Sequence, residues 1–169
     1  AKCNRGVDAA QGKYVLILND DVRVIDDNWI ETLIEQMQDE SVGAVSPKLL
    51  YENGLVQYAG MVTGVRGFVG TAFHQEMHDS TTYFNFVQST RTVSILSGAC
   101  CLIKKDVYQQ VGGFDEINTP IMGSDVDLSF KIREQGLRIV YTPFATLTHL
   151  GHVSLDEMEK QKGQSSHSD

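Results

Sequence analysis

The sequence lacks a long apolar run and is poor in cysteine. No stretch approaches the roughly 20 apolar residues that a membrane-spanning helix needs, and runs such as Tyr14–Leu18 have the length of a strand. Of its three cysteines, Cys100 and Cys101 are adjacent and cannot easily pair with each other, and Cys3 stands alone. We therefore expect free thiols in a reducing, cytoplasmic compartment.

Positive charge is also scarce. The chain has 14 lysines and arginines against 22 aspartates and glutamates, a formal net charge of −8. This balance argues against a nucleic-acid partner, which would need a basic surface. It does not exclude a nucleotide, because acidic side chains can hold a divalent cation that in turn binds phosphates.

Strand and helix patterns alternate along the 169 residues. Apolar runs at 14–18, 42–45, 92–104 and 138–141 predict strands, and amphipathic stretches at 29–37, 105–111 and 124–135 predict helices. This alternation predicts one α/β domain over residues 1–155, with a mostly parallel sheet flanked by helices. Residues 60–86 form a long glycine-rich excursion, and the polar segment 156–169 predicts a disordered tail.

The acidic run Asn19-Asp20-Asp21 follows the first predicted buried strand directly. Ligands of open α/β sheets bind at the carboxyl ends of the strands. Two adjacent carboxylates repel each other unless a cation lies beside them, and hard oxygen ligands favour Mg²⁺ or Mn²⁺. Asn and Asp are equally favoured in solvated turns, so the run alone leaves both interpretations open.

Four ordered blocks resemble the inverting glycosyltransferases of family 2, which have the GT-A fold. They are 4–21, ending in the acidic run; 97–100 with 111–116; 123–128 with Arg133 and Gly136; and His149 with Ser154 after 141–143. The chain departs from the family pattern at Ser124, where the family usually has Glu, and at Lys131, where it usually has Arg.

The resemblance implies roles for six residues. Asp125 would be the general base, placed at a helix start that favours its ionised form. Asp21 and His149 would ligate Mg²⁺ or Mn²⁺, and the donor would be contacted by Asn4, Asn19 and Asp20. His152 competes with His149 for its role, and the acidic residues around Asp125 are also ordinary at a helix N-terminus.

Other polar and aromatic groups allow two interpretations each. Trp29 lies on an amphipathic helix face and is better explained by core packing than by stacking on a sugar. The excursion places His74, Glu76, His78 and Asp79 close in sequence, where a solvated face is favoured over a metal site. Its aromatic residues could stack on acceptor sugars: Phe68, Phe73, Tyr83, Phe84 and Phe86.

The function implied by the resemblance is sugar transfer from a nucleoside-diphosphate-sugar to an acceptor hydroxyl, with inversion and metal assistance. The acceptor would be a saccharide, a lipid-linked sugar or a protein, in a cytoplasmic or membrane-peripheral setting. The alternative is a non-catalytic carbohydrate- or nucleotide-binding fragment that keeps the fold. A metal-dependent phosphohydrolase is disfavoured, because no second carboxylate strand matches the acidic run.

The family's fold opens with a strand and a βα unit that carry part of the nucleotide pocket, and neither precedes Asn4. We therefore expect an N-terminally truncated GT-A domain with its first strands missing. Such a sheet exposes an edge that invites self-association. We expect the isolated chain to bind nucleotide-sugars weakly or not at all, and we leave its own activity open.

Overall fold

A computed structural model of the chain describes residues 2–65, 68–119 and 123–151. The predicted tail at 156–169, together with His152 and Ser154, lies outside the described residues. The elements are α1 (Lys2–Ala9), β1 (Tyr14–Leu18), β2 (Val22–Val24), α2 (Trp29–Gln36), β3 (Val42–Leu50), β4 (Val56–Tyr58), β5 (Met61–Val65), β6 (Phe68–Thr71), α3 (Thr82–Asn85), a 3-10 turn (Phe86–Gln88), β7 (Arg91–Val93), β8 (Cys100–Lys104), α4 (Lys105–Gln110), α5 (Ser124–Glu134) and β9 (Arg138–His149).

In the described part of the chain, seven strands form one sheet in the order β1-β8-β3-β9-β2, with β4 on β3 and β7 on β9. The α/β class is confirmed, but the sheet is mixed rather than mostly parallel. Strands β1, β3 and β9 share one direction, and β8 runs antiparallel between β1 and β3. The chain enters β8 beside the end of β1, so β8 must run the opposite way.

The centre of the sheet is β3, whose nine residues are all buried. It pairs in parallel with the twelve-residue β9, and both strands continue through a proline, Pro47 and Pro143, where the sequence predicted their ends. The register shifts between Pro47 and Lys48, whose partners in β9 are Thr142 and Thr146. This irregularity accommodates prolines, which have no N–H to give to the ladder.

Strand β1 is less buried than its sequence predicted. Val15 and Ile17 are buried, but Leu18 is 43% exposed, because β1 is the end strand of the described sheet. A groove of about 450 Å³ runs between this strand and α1. Self-association through this exposed strand remains a prediction.

The helices bury their apolar faces against the sheet. Helix α2 packs on β3 and β9, and its Trp29 is buried, as core packing predicted. None of the described helices is long and apolar enough to cross a membrane. The three cysteines are free thiols, and burial raises the pKa of Cys100 to about 12.

Gly43 permits the close approach of α5 to β3. A Cβ there would lie 2.9 Å from Cγ2 of Ile132 and 3.1 Å from Cβ of Leu137. We expect Gly43→Ala to lower the free energy of unfolding by about 1–3 kcal/mol, because the packed core must shift. Urea denaturation measures this change.

Gly6→Ala is the matched control. Gly6 lies inside α1, and a Cβ there would meet nothing within 4 Å. Alanine favours helix over glycine by about 0.5–1 kcal/mol, so this variant should be as stable as the parent or more so. Equal stability of the two variants would contradict the proposed packing.

Candidate active site

The acidic turn is anchored where β1 meets β8. Leu18 pairs with Cys100, and the backbone N–H of Asn19 donates to the carbonyl oxygen of Ala99 at 2.9 Å. The side chains then diverge. Asn19 and Asp20 are exposed, whereas Asp21 is half-buried at the start of β2.

Asp21 and His149 meet because β2 pairs with the end of β9. Val22 lies opposite His149 in this antiparallel pair, and the N–H of Leu150 donates to the carbonyl oxygen of Asp21 at 3.0 Å. Nε2 of His149 consequently lies 3.1 Å from Oδ1 of Asp21, with the two side chains only 15% and 19% exposed. The structure therefore brings together the two predicted metal ligands.

This close contact does not meet hydrogen-bond geometry, and Oδ1 of Asp21 is a buried oxygen without a hydrogen-bond partner within the described segments. A protonated imidazole would make the contact an ion pair. Adjacent ligands of an octahedral cation with bonds of about 2.1 Å also lie about 3.0 Å apart. A carboxylate oxygen and a neutral ring nitrogen at this spacing therefore fit a divalent cation.

Only two protein ligands converge there. Over residues 2–65, 68–119 and 123–151, no group of three or more His, Cys, Asp or Glu side chains could hold a metal. That count suits Mg²⁺, which is commonly held by one or two carboxylates together with water and substrate phosphates. His74, Glu76, His78 and Asp79 of the excursion are all exposed, as the solvated-face interpretation predicted.

Beside the acidic turn lies a cleft of about 830 Å³. It is bounded by the start of α1, the carboxyl end of β1, the segment before β8, the loop after α4 and the start of α5. Its lining includes three residues expected to act at the site, Asn4, Asn19 and Asp125, and members of the blocks that resemble the family: Ser97, Gly98, Asp115, Glu116 and Ser124. Thr119, which also lines the cleft, lies outside those blocks.

Asp125 is held in this cleft by the first turns of α5. Oγ of Ser129 donates to the carbonyl oxygen of Asp125 and accepts from the N–H of Leu96 at 3.1 Å. This joins the helix to the segment before β8. A Cβ at Gly98 would lie only 3.3 Å from Cβ of Asp125, so the absence of a side chain at Gly98 gives the carboxylate its room. No motif or spacing in the sequence marked Ser129.

Asn4 uses its whole amide inside the protein. Nδ2 donates to the carbonyl oxygen of Phe114 at 2.9 Å and to Oε1 of Glu116 at 2.7 Å. Oδ1 accepts from the hydroxyl of Tyr108 and the N–H of Phe114, at 2.6 and 3.1 Å. Asn4 thus ties α1 to the wall of the cleft, and a direct contact with a donor remains a prediction.

The same wall is tied to α5. Nζ of Lys131 lies 2.7 Å from Oδ2 of Asp127 and donates to the carbonyl oxygen of Gly113. Lys131 can therefore make this link in place of the arginine that the family usually has. Hydrogen bonds from the backbone N–H of Asn118, then from its side chain and from the N–H of Ile117, lower the pKa of Asp115 to about 2. These hydrogen bonds to Asp115 hold the loop in shape.

Comparison with known proteins agrees with this architecture. Residues 1–166 match the family described as "Glycosyltransferase like family 2". The chain is 39% identical over 141 residues to the O-antigen biosynthesis protein RfbC of Myxococcus xanthus, covering 83% of this chain and 11% of that protein. It is 30% identical over 148 residues to the N-acetylglucosaminyl-diphospho-decaprenol L-rhamnosyltransferase of Mycobacterium tuberculosis, covering 80% of this chain and 46% of that one.

Among solved structures, the chain resembles the mannosyltransferase PcManGT of Pyrobaculum calidifontis in complex with GDP-Man and Mn²⁺. The TM-score is 0.57 at 18% identity, over 89% of this chain and 35% of that one. This likeness supports the GT-A fold. The chain spans less than half the length of the curated relatives described above. With its matched sequence, its mixed sheet and its acidic turn at the edge of a cleft, the chain belongs to the family 2-like glycosyltransferases.

Proposed function

We propose that the protein carrying this chain transfers a sugar from a nucleoside-diphosphate-sugar to an acceptor hydroxyl, with inversion and with help from Mg²⁺ or Mn²⁺. The observation that carries this proposal is the contact between Oδ1 of Asp21 and Nε2 of His149. It is 3.1 Å long, without a hydrogen bond, and stands two residues from the cleft-lining Asn19.

Asp125 acts as the general base in this proposal. As the acceptor oxygen attacks the anomeric carbon, Asp125 takes the hydroxyl proton, and the bond from that carbon to the nucleoside diphosphate breaks. Three features support the role: Asp125 lines the cleft, Gly98 leaves it room, and Ser129 fixes its backbone. Oδ1 accepts from the N–H of Val126, which orients the carboxylate.

A cation bound by Asp21 and His149 would neutralise charge on the departing diphosphate. Asp20 is exposed beside this pair and Asn19 lines the cleft, so both are available to the donor's ribose and phosphates. The likeness to PcManGT, solved with GDP-Man and Mn²⁺, favours this donor class. The relative named as an N-acetylglucosaminyl-diphospho-decaprenol L-rhamnosyltransferase favours a lipid-linked saccharide acceptor.

Asp125→Asn should lower the rate of transfer by about 10²–10⁴-fold, because the amide cannot accept the acceptor's proton. Donor binding should persist. Turnover and donor affinity are measured on the whole protein, with Glu134→Gln, at an exposed carboxylate on the same helix, as the matched control. Unchanged turnover would remove Asp125 as the base, and donor binding without any transfer in the parent would favour the non-catalytic alternative.

Asp21→Asn and His149→Ala should each weaken Mn²⁺ binding about 10-fold or more, because each removes one of the two protein ligands. Calorimetric titration with Mn²⁺ measures the affinity. Asp27→Asn, which alters an exposed carboxylate outside the site, should bind as the parent does. Removal of the metal with EDTA should stop transfer, and continued transfer in EDTA would contradict metal assistance.

Asn4→Asp should destabilise the fold by about 1–3 kcal/mol at neutral pH. It replaces a donor to Phe114 and Glu116 with a carboxylate oxygen. The new carboxyl would have a raised pKa in the folded state, so the penalty should shrink as the pH falls.

The control for this change is Asn28→Asp, because Asn28 is exposed and its side chain makes no capping hydrogen bond. Urea unfolding and donor titration are measured together. Lost donor affinity at full stability would show that Asn4 contacts the donor directly, rather than supporting the cleft wall.

A further inference from the structure

We propose that Gln57 is a positioning residue that keeps the imidazole proton of His149 on Nδ1 and so presents the lone pair of Nε2 beside Asp21. This inference deepens the proposed function and rests on its metal site. Gln57 lies on β4 between the buried Val56 and Tyr58, and nothing in its sequence context marked it.

Two contacts join Gln57 to His149. Oε1 of Gln57 lies 2.7 Å from Nδ1 of the ring, and Nε2 of Gln57 donates to the backbone carbonyl oxygen of His149 at 3.4 Å. The contact with the carbonyl oxygen fixes the orientation of the amide, and this orientation decides which atom donates in the contact with Nδ1. Because the amide nitrogen faces a carbonyl, the amide oxygen faces Nδ1, and an oxygen there accepts only if Nδ1 carries the proton.

The opposite tautomer would close the candidate metal site. With its proton on Nε2, His149 would place a donor 3.1 Å from Oδ1 of Asp21, and a small adjustment would turn this contact into a hydrogen bond. That bond would satisfy both groups without a cation. In the neutral imidazole Gln57 opposes it, because the other tautomer would leave two acceptors, Nδ1 and Oε1, facing each other at 2.7 Å. An imidazolium would satisfy both contacts, so the argument concerns the neutral ring that can ligate a metal.

The pairing of β4 with β3 and the close approach of Gly151 both help to place Gln57. Val56 pairs with Leu50, the last residue of β3, and β9 runs beside β3 on its other side. Gly151 follows β9 by two residues, has a φ of +51°, and a Cβ there would lie 2.7 Å from Nε2 of Gln57. The positive φ favours glycine, and a side chain there would displace the amide of Gln57.

The ring tautomer is the direct test and needs no metal. Long-range ¹H–¹⁵N correlation spectra of His149 are recorded at about pH 8, where free imidazole is neutral. The parent chain should show the proton on Nδ1. Gln57→Leu should move it to Nε2, and Gln57→Glu, which keeps an acceptor oxygen, should hold it on Nδ1. Gln110→Leu, at an exposed glutamine whose partner is Gln135, is the control.

Mn²⁺ affinity is then titrated in the same chains. Loss of an outer partner of a ligating histidine typically costs about 10–100-fold in metal affinity. We expect that loss for Gln57→Leu, and affinities within about 3-fold of the parent for Gln57→Glu and Gln110→Leu. A role confined to packing would change stability in Gln57→Leu but not the tautomer.

The role of Gln57 and the proposed metal site can be contradicted independently of each other. A parent chain with its proton on Nε2, or a Gln57→Leu chain that keeps it on Nδ1, would overturn the role of Gln57. So would unchanged Mn²⁺ affinity in Gln57→Leu when His149→Ala lowers it. If His149→Ala leaves Mn²⁺ binding unchanged, the proposed metal site is wrong, whatever the tautomer.

Discussion

The pairing of β2 with the end of β9 fixes the geometry on which the candidate site depends. Three residue pairs hold the two strands together, and the bond from the N–H of Leu150 to the carbonyl of Asp21 extends them by one step. Because β9 also pairs with the fully buried β3, His149 stands on a rigid element. Asp21, in a short turn, is thereby held against a fixed partner.

The reversed strand β8 organises the other half of the site. It begins beside the carboxyl end of β1. The segment before it, which contains Gly98, therefore lies at the same end of the strands as the acidic turn. Helix α5 is tied to this segment through Ser129. The antiparallel insertion, which the sequence did not predict, is therefore what brings Asp125 and Asn19 to one cleft.

Residues at the ends of elements could be placed from sequence, because a strand or helix end is a local property. Asp21 after β1 and Asp125 at the start of α5 are such cases. His149 is not, because the predicted strand ended at 141 whereas β9 extends to His149, and only the family resemblance pointed to it. Contacts between distant residues could not be placed. Asn4 is 110 positions from Phe114, and Gln57 is 92 from His149, so only the tertiary pairing decides their partners. Pro47 and Pro143 misled the prediction of where β3 and β9 end for a related reason. The register shift between these two strands accommodates both prolines.

The buried Oδ1 of Asp21 carries an energetic cost that a hydrogen bond from His149 could remove. A buried acceptor without a partner costs about 1–3 kcal/mol, and a tautomer change at His149 would give Oδ1 a donor 3.1 Å away. The amide of Gln57 accepts at Nδ1 and opposes that change in the neutral ring. Two states remain that satisfy Oδ1: an imidazolium paired with Asp21, and a cation between Oδ1 and Nε2. Buried polar groups that lack a hydrogen bond are concentrated at functional sites, and the proposed function takes the second of these states.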